Sequence, residues 1–375
     1  MSNRSSKQWP RAGSQWRRAS VTINPQALSH NLKRVREFAP GCQVMAVIKA
    51  NGYGHGMHAV SEYLSEADMF AVAMPEEAFS LRAKGCSKPV LVIHGFTDST
   101  ELTHFSELGL ATVIHQKQQL DTLVNSALSK PVDVWLKVDT GMHRLGIAVD
   151  EVADAYARLC ASDNVGQVCL MTHFANADVI GNELNNKQIE SFIKVNNNLN
   201  ACASMANSAA IIGLPQSHFD VVRPGIMLYG SSPFADRTAD DLALKPAMQF
   251  ESQLIDIKHV STGGSVGYGS TFTAEHDMRI GVVAAGYGDG YPRHAVNGTP
   301  VWLNGRCCRL VGRVSMDSIC IELADLDADI GDRVVLWGEE LSVDQVAACS
   351  GTISYELLCH AGTAFLANRE LDNRG

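Results

Sequence analysis

No uncharged apolar run in this 375-residue chain is long enough to cross a bilayer, which excludes a helical membrane protein and leaves a soluble globular one as the expectation. Basic residues are not in excess. A formal net charge of −9 argues against a general nucleic-acid binder, whose footprint should be positive. The ten cysteines contain no Cys-x-x-Cys pair, and adjacent Cys307 and Cys308 would alternate faces on a strand, so no metal site is expected. Cys160, Cys169, Cys202 and Cys349 lie in apolar segments, which suits buried free thiols and a reducing, cytoplasmic compartment. Low-complexity sequence is absent. Residues 1–18 lack any acid but carry Arg4, Lys7, Arg11, Arg17 and Arg18, with no apolar stretch following. They read as a disordered basic tail rather than a secretory signal.

A hydrophobic content of 46% against 19% charged residues permits a sizeable core, and the length suggests one large domain plus a smaller one. Val21 and Ile23 begin a short strand, and Asn24 with Pro25 gives an N-cap and first-turn pair for a helix carrying Leu28, Leu32 and Val35 on one side. From Val44 onward, short apolar runs alternate with turns and amphipathic helical stretches. The runs are 44–48, 69–73, 90–94, 111–115, 132–138, 167–172, 202–205 and 219–223, eight in all. Their spacing of roughly 20 to 35 residues is that of a βα unit, and eight units in series predict a (β/α)8 barrel over residues 19–240. The strand near 19–24 is open to joining the second domain. Beyond about residue 240, strand-like runs at 250–260, 279–285, 307–314 and 333–337, with hairpin signals Asn297-Gly298 and Asn304-Gly305, predict a mainly β domain over 241–375. Segments 342–349 and 352–359 read as late short helices.

A barrel of this kind carries its chemistry just past the strand ends, with phosphate after strands seven and eight. Lys49 follows the first run, Arg144 the fifth, His173 the sixth, Asn207 and Ser208 the seventh, and Arg223, Gly225 and Ile226 the eighth. The Ser208 hydroxyl and backbone amides near Gly225 and Ile226, at the start of a short helix, suit a phosphate dianion. Lys49 emerges from an apolar wall, where an amine is easily deprotonated and can attack an aldehyde to form a Schiff base. A solvated surface lysine is the plain alternative.

The string AVIKANGYGHG around Lys49 and Tyr53 resembles the pyridoxal-phosphate-binding motif of the alanine racemases. LKVDTGMHRLG, MTHFANAD, VVRPGIMLYG, SVGYGSTF, GYGDGYPR, GRVSMDS and TISYELL extend the resemblance over roughly residues 20–358. It implies pyridoxal 5′-phosphate as cofactor and a small amino acid as substrate, with no nucleic-acid or membrane partner. The resemblance implies that Lys49 and Tyr268 act as bases on opposite faces. Arg144 would contact the cofactor's phenolic oxygen and the substrate carboxylate, and His173 would support the ring. Arg223 would sit at the pyridine nitrogen and Tyr355 at the phosphate. The Met316 amide would meet the substrate, and Tyr287, Arg293, Arg313 and Asp317 would belong to the entrance and its surroundings. Lys137 matches a lysine that is often carbamylated in the family, the alternative being a lysine paired with an acid. Taken singly, His173 can be a structural histidine, Met316 a core residue, Arg144 a surface charge and Tyr268 a turn cover. The resemblance also implies a head-to-tail homodimer sharing its active sites, and a role in supplying D-alanine for peptidoglycan or in breaking it down. Its rivals are a serine or broad-specificity racemase, a non-catalytic pyridoxal-phosphate carrier on the same barrel, and a fold-related decarboxylase. The ending CHAGTAFLANRELDNRG departs from the family's pattern and leaves the last helix in doubt.

Overall fold

The computed structural model describes residues 18–372, with side chains to residue 365. The expected basic tail therefore lies almost wholly outside the described residues. Two compact units divide the described residues: Ile23–Met248 with 342–344 and 353–372, and Gln249–Leu341 with 18–22 and 345–352.

The first unit is the barrel. Its parallel strands are β1 (Gln43–Val47), β2 (Met69–Val72), β3 (Val90–Val92), β4 (Ala111–Ile114), β5 (Val132–Asp139), β6 (Val165–Met171), β7 (Ala203–Ser204) and β8 (Val221–Val222). Each of the eight apolar runs overlaps one of them, and five contain their strand whole. Sequential strands pair from β1 to β7, and β8 pairs back onto β1 with Val221 opposite Gln43. Between β7 and β8 the ring is joined by the Asp220 N–H on the Ala203 carbonyl (3.2 Å) and the Arg223 N–H on the Ala206 carbonyl (2.9 Å). Strands buried on both faces explain the unbroken apolar runs, as in Val44, Met45, Ala46 and Val47. Asn24 caps the Pro25–Phe38 helix by accepting from the Gln26 and Ala27 amides, and Leu28, Leu32 and Val35 form its buried face.

The second unit is a ring of antiparallel strands. In spatial order these are Met248–Val260, Met278–Val283, Ile319–Glu322, Arg306–Leu310, Pro300–Leu303 and Arg333–Trp337, the last pairing back onto the first, while Ser20–Ile23 adds to Met248–Val260. Asn304 and Gly305, at φ 44° and 82°, make the two-residue turn between Pro300–Leu303 and Arg306–Leu310. Asn297-Gly298 is not a hairpin, because no strand ends there. Instead the Asn297 side chain accepts the Gly312 N–H at 2.7 Å and donates to the Thr271 carbonyl at 3.1 Å.

Two expectations need correction. Residues from Ile353 onward group with the barrel, and the final helix runs Ser354–Asp372 rather than ending at 359. The reason is a glycine-to-glycine approach: a Cβ on Gly362 would lie 1.9 Å from the Gly54 carbonyl oxygen, so this helix rests directly on the turn after Lys49. All ten cysteines are free, but Cys160 and Cys307 are exposed, Cys160 because it ends its helix.

Candidate active site

Lys49 follows the buried strand-end residue Ile48, and the chain then makes a left-handed turn. Ala50, Asn51, Gly52 and Tyr53 have φ of 53°, 52°, 63° and 51°. Such backbone costs a non-glycine residue roughly 1–2 kcal/mol and persists only where the surroundings enforce it. Here they do. The Gly52 N–H reaches the Ile48 carbonyl at 2.9 Å, the Asn51 side chain accepts the Met57 N–H at 2.7 Å, and the Glu77 carboxylate accepts the Ala50 N–H at 2.7 Å. Gly54 has no alternative, since a Cβ there would stand 2.2 Å from the Leu358 carbonyl oxygen. Burial, with the positive charge of Arg144 adding, holds the Lys49 amine below the ordinary lysine value.

Cations dominate the neighbourhood. Arg223, 4% exposed, donates from Nη1 to Ser204 Oγ (2.6 Å) and from Nη2 to the Thr172 and Met205 carbonyls (2.6 and 3.2 Å). Nη2 also meets His173 Nδ1 at 3.2 Å. A guanidinium can only donate, so Nδ1 must be the acceptor and the imidazole neutral. Burial and then Arg223 push the His173 pKa well below the usual value, which agrees. Burial brings Arg223 itself down to about 10, so it stays charged at neutral pH. Lys137 is 4% exposed, and its amine is pushed down to about 8 by burial and by Arg223, Arg144 and Lys49, with Asp139 opposing. Among the described residues no carboxylate forms an ion pair with Lys137, Arg144 or Arg223. Arg144 is exposed.

Hydroxyls and amides gather at a second pole of the same unit. Ser208 Oγ accepts the Gly225 N–H at 2.9 Å and the Met227 N–H at 3.4 Å, and Gly225 precedes the short Ile226–Tyr229 helical turn. A Cβ on Gly225 would lie 2.6 Å from the Tyr53 hydroxyl, so glycine there leaves that oxygen its place. Tyr53 stacks on Tyr229 at 4.6 Å and lies 5.9 Å from the Tyr355 ring. Asn207 spends its side-chain oxygen on the Ala210 N–H, capping Ser208–Gly213. A serine hydroxyl, backbone amides and two tyrosines suit a phosphate, and a buried arginine without a carboxylate partner suits a ring nitrogen acceptor. The residues present thus fit pyridoxal phosphate.

In the β unit, Tyr268, Arg313, Met316, Asp317, Tyr287 and Arg293 form their own exposed group. The Tyr287 N–H donates to the Ser315 carbonyl (3.0 Å) and the Gly288 N–H to the Met316 carbonyl (2.8 Å). The Arg293 guanidinium sits 5.6 Å above the Tyr287 ring, and Gly267 and Gly269, on either side of Tyr268, face Arg313. Tyr268 is 68% and Met316 54% exposed, so neither is a core residue of this unit.

Glu77, His94, His115 and Tyr229 were not among the expected residues. His94 and His115 stand just after β3 and β4, where the strand-end rule alone points to them, and the His115 ring nitrogen Nε2 bonds the His94 carbonyl at 3.1 Å. Tyr229 donates to the Val47 carbonyl at 3.0 Å. No group of three or more His, Cys, Asp or Glu among the described residues is arranged to hold a metal ion. Nor is any described helix long and apolar enough to cross a membrane.

Two family models match end to end: the alanine racemase N-terminal domain over residues 23–233 and its C-terminal domain over 247–366. An alanine racemase of Shewanella woodyi is 49% identical over 338 residues, 90% of this chain and 94% of that protein. The crystal structure of the biosynthetic alanine racemase from Pseudomonas aeruginosa superposes with a TM-score of 0.90 at 45% identity, covering 92% of this chain and 97% of that one. The Bartonella henselae alanine racemase, solved with covalently bound pyridoxal phosphate, superposes with a TM-score of 0.82 at 29% identity, covering 92% and 98%. A lysine on a strained turn at a barrel strand end, a buried arginine bonded to a neutral histidine, and matches spanning both domains agree: the chain belongs to the alanine racemase family.

Proposed function

We propose that this protein is a pyridoxal-phosphate-dependent racemase that interconverts L- and D-alanine with two bases, Lys49 and Tyr268. The observation that carries the reading is that the barrel unit holds both the Lys49 turn and Arg223, a buried cation hydrogen-bonded to His173 and, among the described residues, without a carboxylate partner. Bound pyridoxal phosphate supplies an electron sink that lets the α-proton of an amino acid leave.

The chain's residues account for the rest. Tyr53, Ser208, Gly225, Ile226 and Tyr355 hold the phosphate, with Asn207 fixing the helix start beside Ser208. Arg223 can donate but not give up its proton, so it leaves a ring nitrogen unprotonated and weakens the sink. This favours quick return of the proton over transamination. Lys49 anchors the aldehyde end and, with its amine held below ordinary lysine, moves a proton on one face. Tyr268 serves the other. Arg144, without a carboxylate ion-pair partner among the described residues, binds the substrate carboxylate together with the Met316 amide. Lys137, surrounded by cations, is suited to conversion into an anionic carbamate that would hold Arg144.

The exposure of Tyr268 and Met316 supports their delivery to a partner's barrel in a head-to-tail homodimer. Tyr287, Arg293, Arg313 and Asp317 would border the entrance there. A carrier protein resembles the barrel alone, and the match of the C-terminal domain argues against one. Purified protein should show a visible cofactor band that is lost on borohydride treatment or in Lys49→Ala. In D2O it should wash deuterium into the α-position of alanine while optical rotation decays. Cofactor binding without exchange would refute the racemase reading.

A further inference from the structure

The geometry points to Glu77 as a positioning residue that clamps the left-handed Lys49 turn to the end of the neighbouring strand. One carboxylate oxygen accepts the Ala73 and Met74 amides, at 2.8 and 3.2 Å, where β2 passes into the Pro75–Ala83 helix. The other reaches across to the Ala50 N–H at 2.7 Å. The first pair of bonds is a helix cap and would exist without Lys49. The third is different in kind. It fixes the peptide that leaves Lys49, at the first residue of the left-handed run, from a side chain that the cap has already immobilised. Ala50 has no side-chain reason to adopt positive φ, whereas Asn51 has its own bond to the Met57 amide, so at Ala50 the turn depends on a bond from elsewhere, and a charge-assisted one is the strongest available. The same carboxylate raises the Lys49 pKa against Arg144, which lowers it. Glu77 therefore sets both the aim of the amine and the charge beside it.

The inference rests on the reading of Lys49 as the cofactor lysine, and its test separates the two. Glu77→Ala and Glu77→Gln are compared with Glu101→Ala in the full-length protein. Glu101 caps Ser99–Leu108 in a similar way, accepting the Thr97 N–H at 2.7 Å, but has no bond to the Lys49 turn. Amide hydrogen exchange at Ala50 is measured on the apoprotein. On the holoenzyme the measurements are kcat, KM and the pH midpoint of the visible cofactor band. Glu77→Ala should speed exchange at Ala50, move the pH midpoint down and lower kcat roughly 10- to 100-fold with a smaller change in KM. Glu77→Gln, which keeps one carbonyl acceptor, should recover part of the exchange protection. Glu101→Ala should lower the melting temperature alone. Glu77→Ala behaving like Glu101→Ala in exchange, pH midpoint and kcat would overturn the inference. If Glu77→Ala does not fold, Glu77→Gln decides: wild-type exchange and a kcat within about twofold of wild type would overturn it equally. A wild-type protein that neither binds cofactor nor racemises alanine sinks the functional reading, while the Ala50 exchange still tests the clamp.

Discussion

Lys137 offers a prediction whose size follows from its surroundings. Burial, and then the charges of Arg223, Arg144 and Lys49, lower the pKa of this amine from 10.5 to about 8, with Asp139 opposing. At pH 7.5 about a quarter of the amine is then neutral, against about one part in a thousand for an ordinary lysine, so reaction with dissolved CO2 is favoured roughly two hundredfold. That reaction forms an N–C bond, releases a proton and turns a cation into an anion among cations. Unmodified, the lysine is a liability. Its folded-state pKa lies below its unfolded one, so the folded protein binds fewer protons and loses on the order of 3 kcal/mol below pH 8. The loss fades as pH rises from 8 towards 10.5. Under CO2-free conditions the wild-type melting temperature should therefore climb between pH 8 and 10, while Lys137→Met should be flatter. With 13C-bicarbonate, NMR should show a carbamate carbon that Lys137→Met lacks, and racemase activity should rise with bicarbonate. Absence of that signal together with identical pH–stability profiles would refute the argument.

Three further outcomes follow from single positions. Gly225→Ala places a methyl 2.6 Å from the Tyr53 hydroxyl and should weaken cofactor affinity at least about tenfold by absorbance titration; unchanged affinity would remove Tyr53 and Gly225 from the phosphate site. Gly54→Ala combines φ of +79° with a 2.2 Å approach to a backbone oxygen that cannot swing away, so thermal unfolding should show a loss of several kcal/mol, well beyond the roughly 1 kcal/mol of strain alone. Arg223→Glu sets a carboxylate against the Thr172 and Met205 carbonyls, so it should be less stable and also divert turnover towards transamination. Unchanged ratios of racemase to transaminase activity in a folded Arg223→Glu protein would contradict the assigned role of the arginine.

The barrel was legible because buried parallel strands leave apolar runs with no face to spare for polar residues, and all eight runs overlap a strand. Asn24, Pro25 and Asn304-Gly305 were legible for a local reason: their caps and turns are closed by neighbouring atoms in the sequence. What sequence could not show was set by distant partners. The glycines after Lys49 announced a turn, but left-handed Ala50, Asn51 and Tyr53 follow from Glu77 and from the packing of Gly54 on Leu358. Gly362, which local propensity reads as a weak point in a helix, is where the Ser354–Asp372 helix touches Gly54. Met316 could pass for a core residue in the sequence, and only its exposure removes that reading.

The central claim is that each active site joins Lys49 of one chain with Tyr268 of its partner. It is tested most directly by co-expressing Lys49→Ala and Tyr268→Phe chains, each inactive alone, and assaying alanine racemisation by the mixture. A shared-site dimer restores one good site in every heterodimer, so random pairing should return about one quarter of wild-type activity. Activity no higher than that of either parent, in a mixture shown to contain heterodimers, would contradict the account.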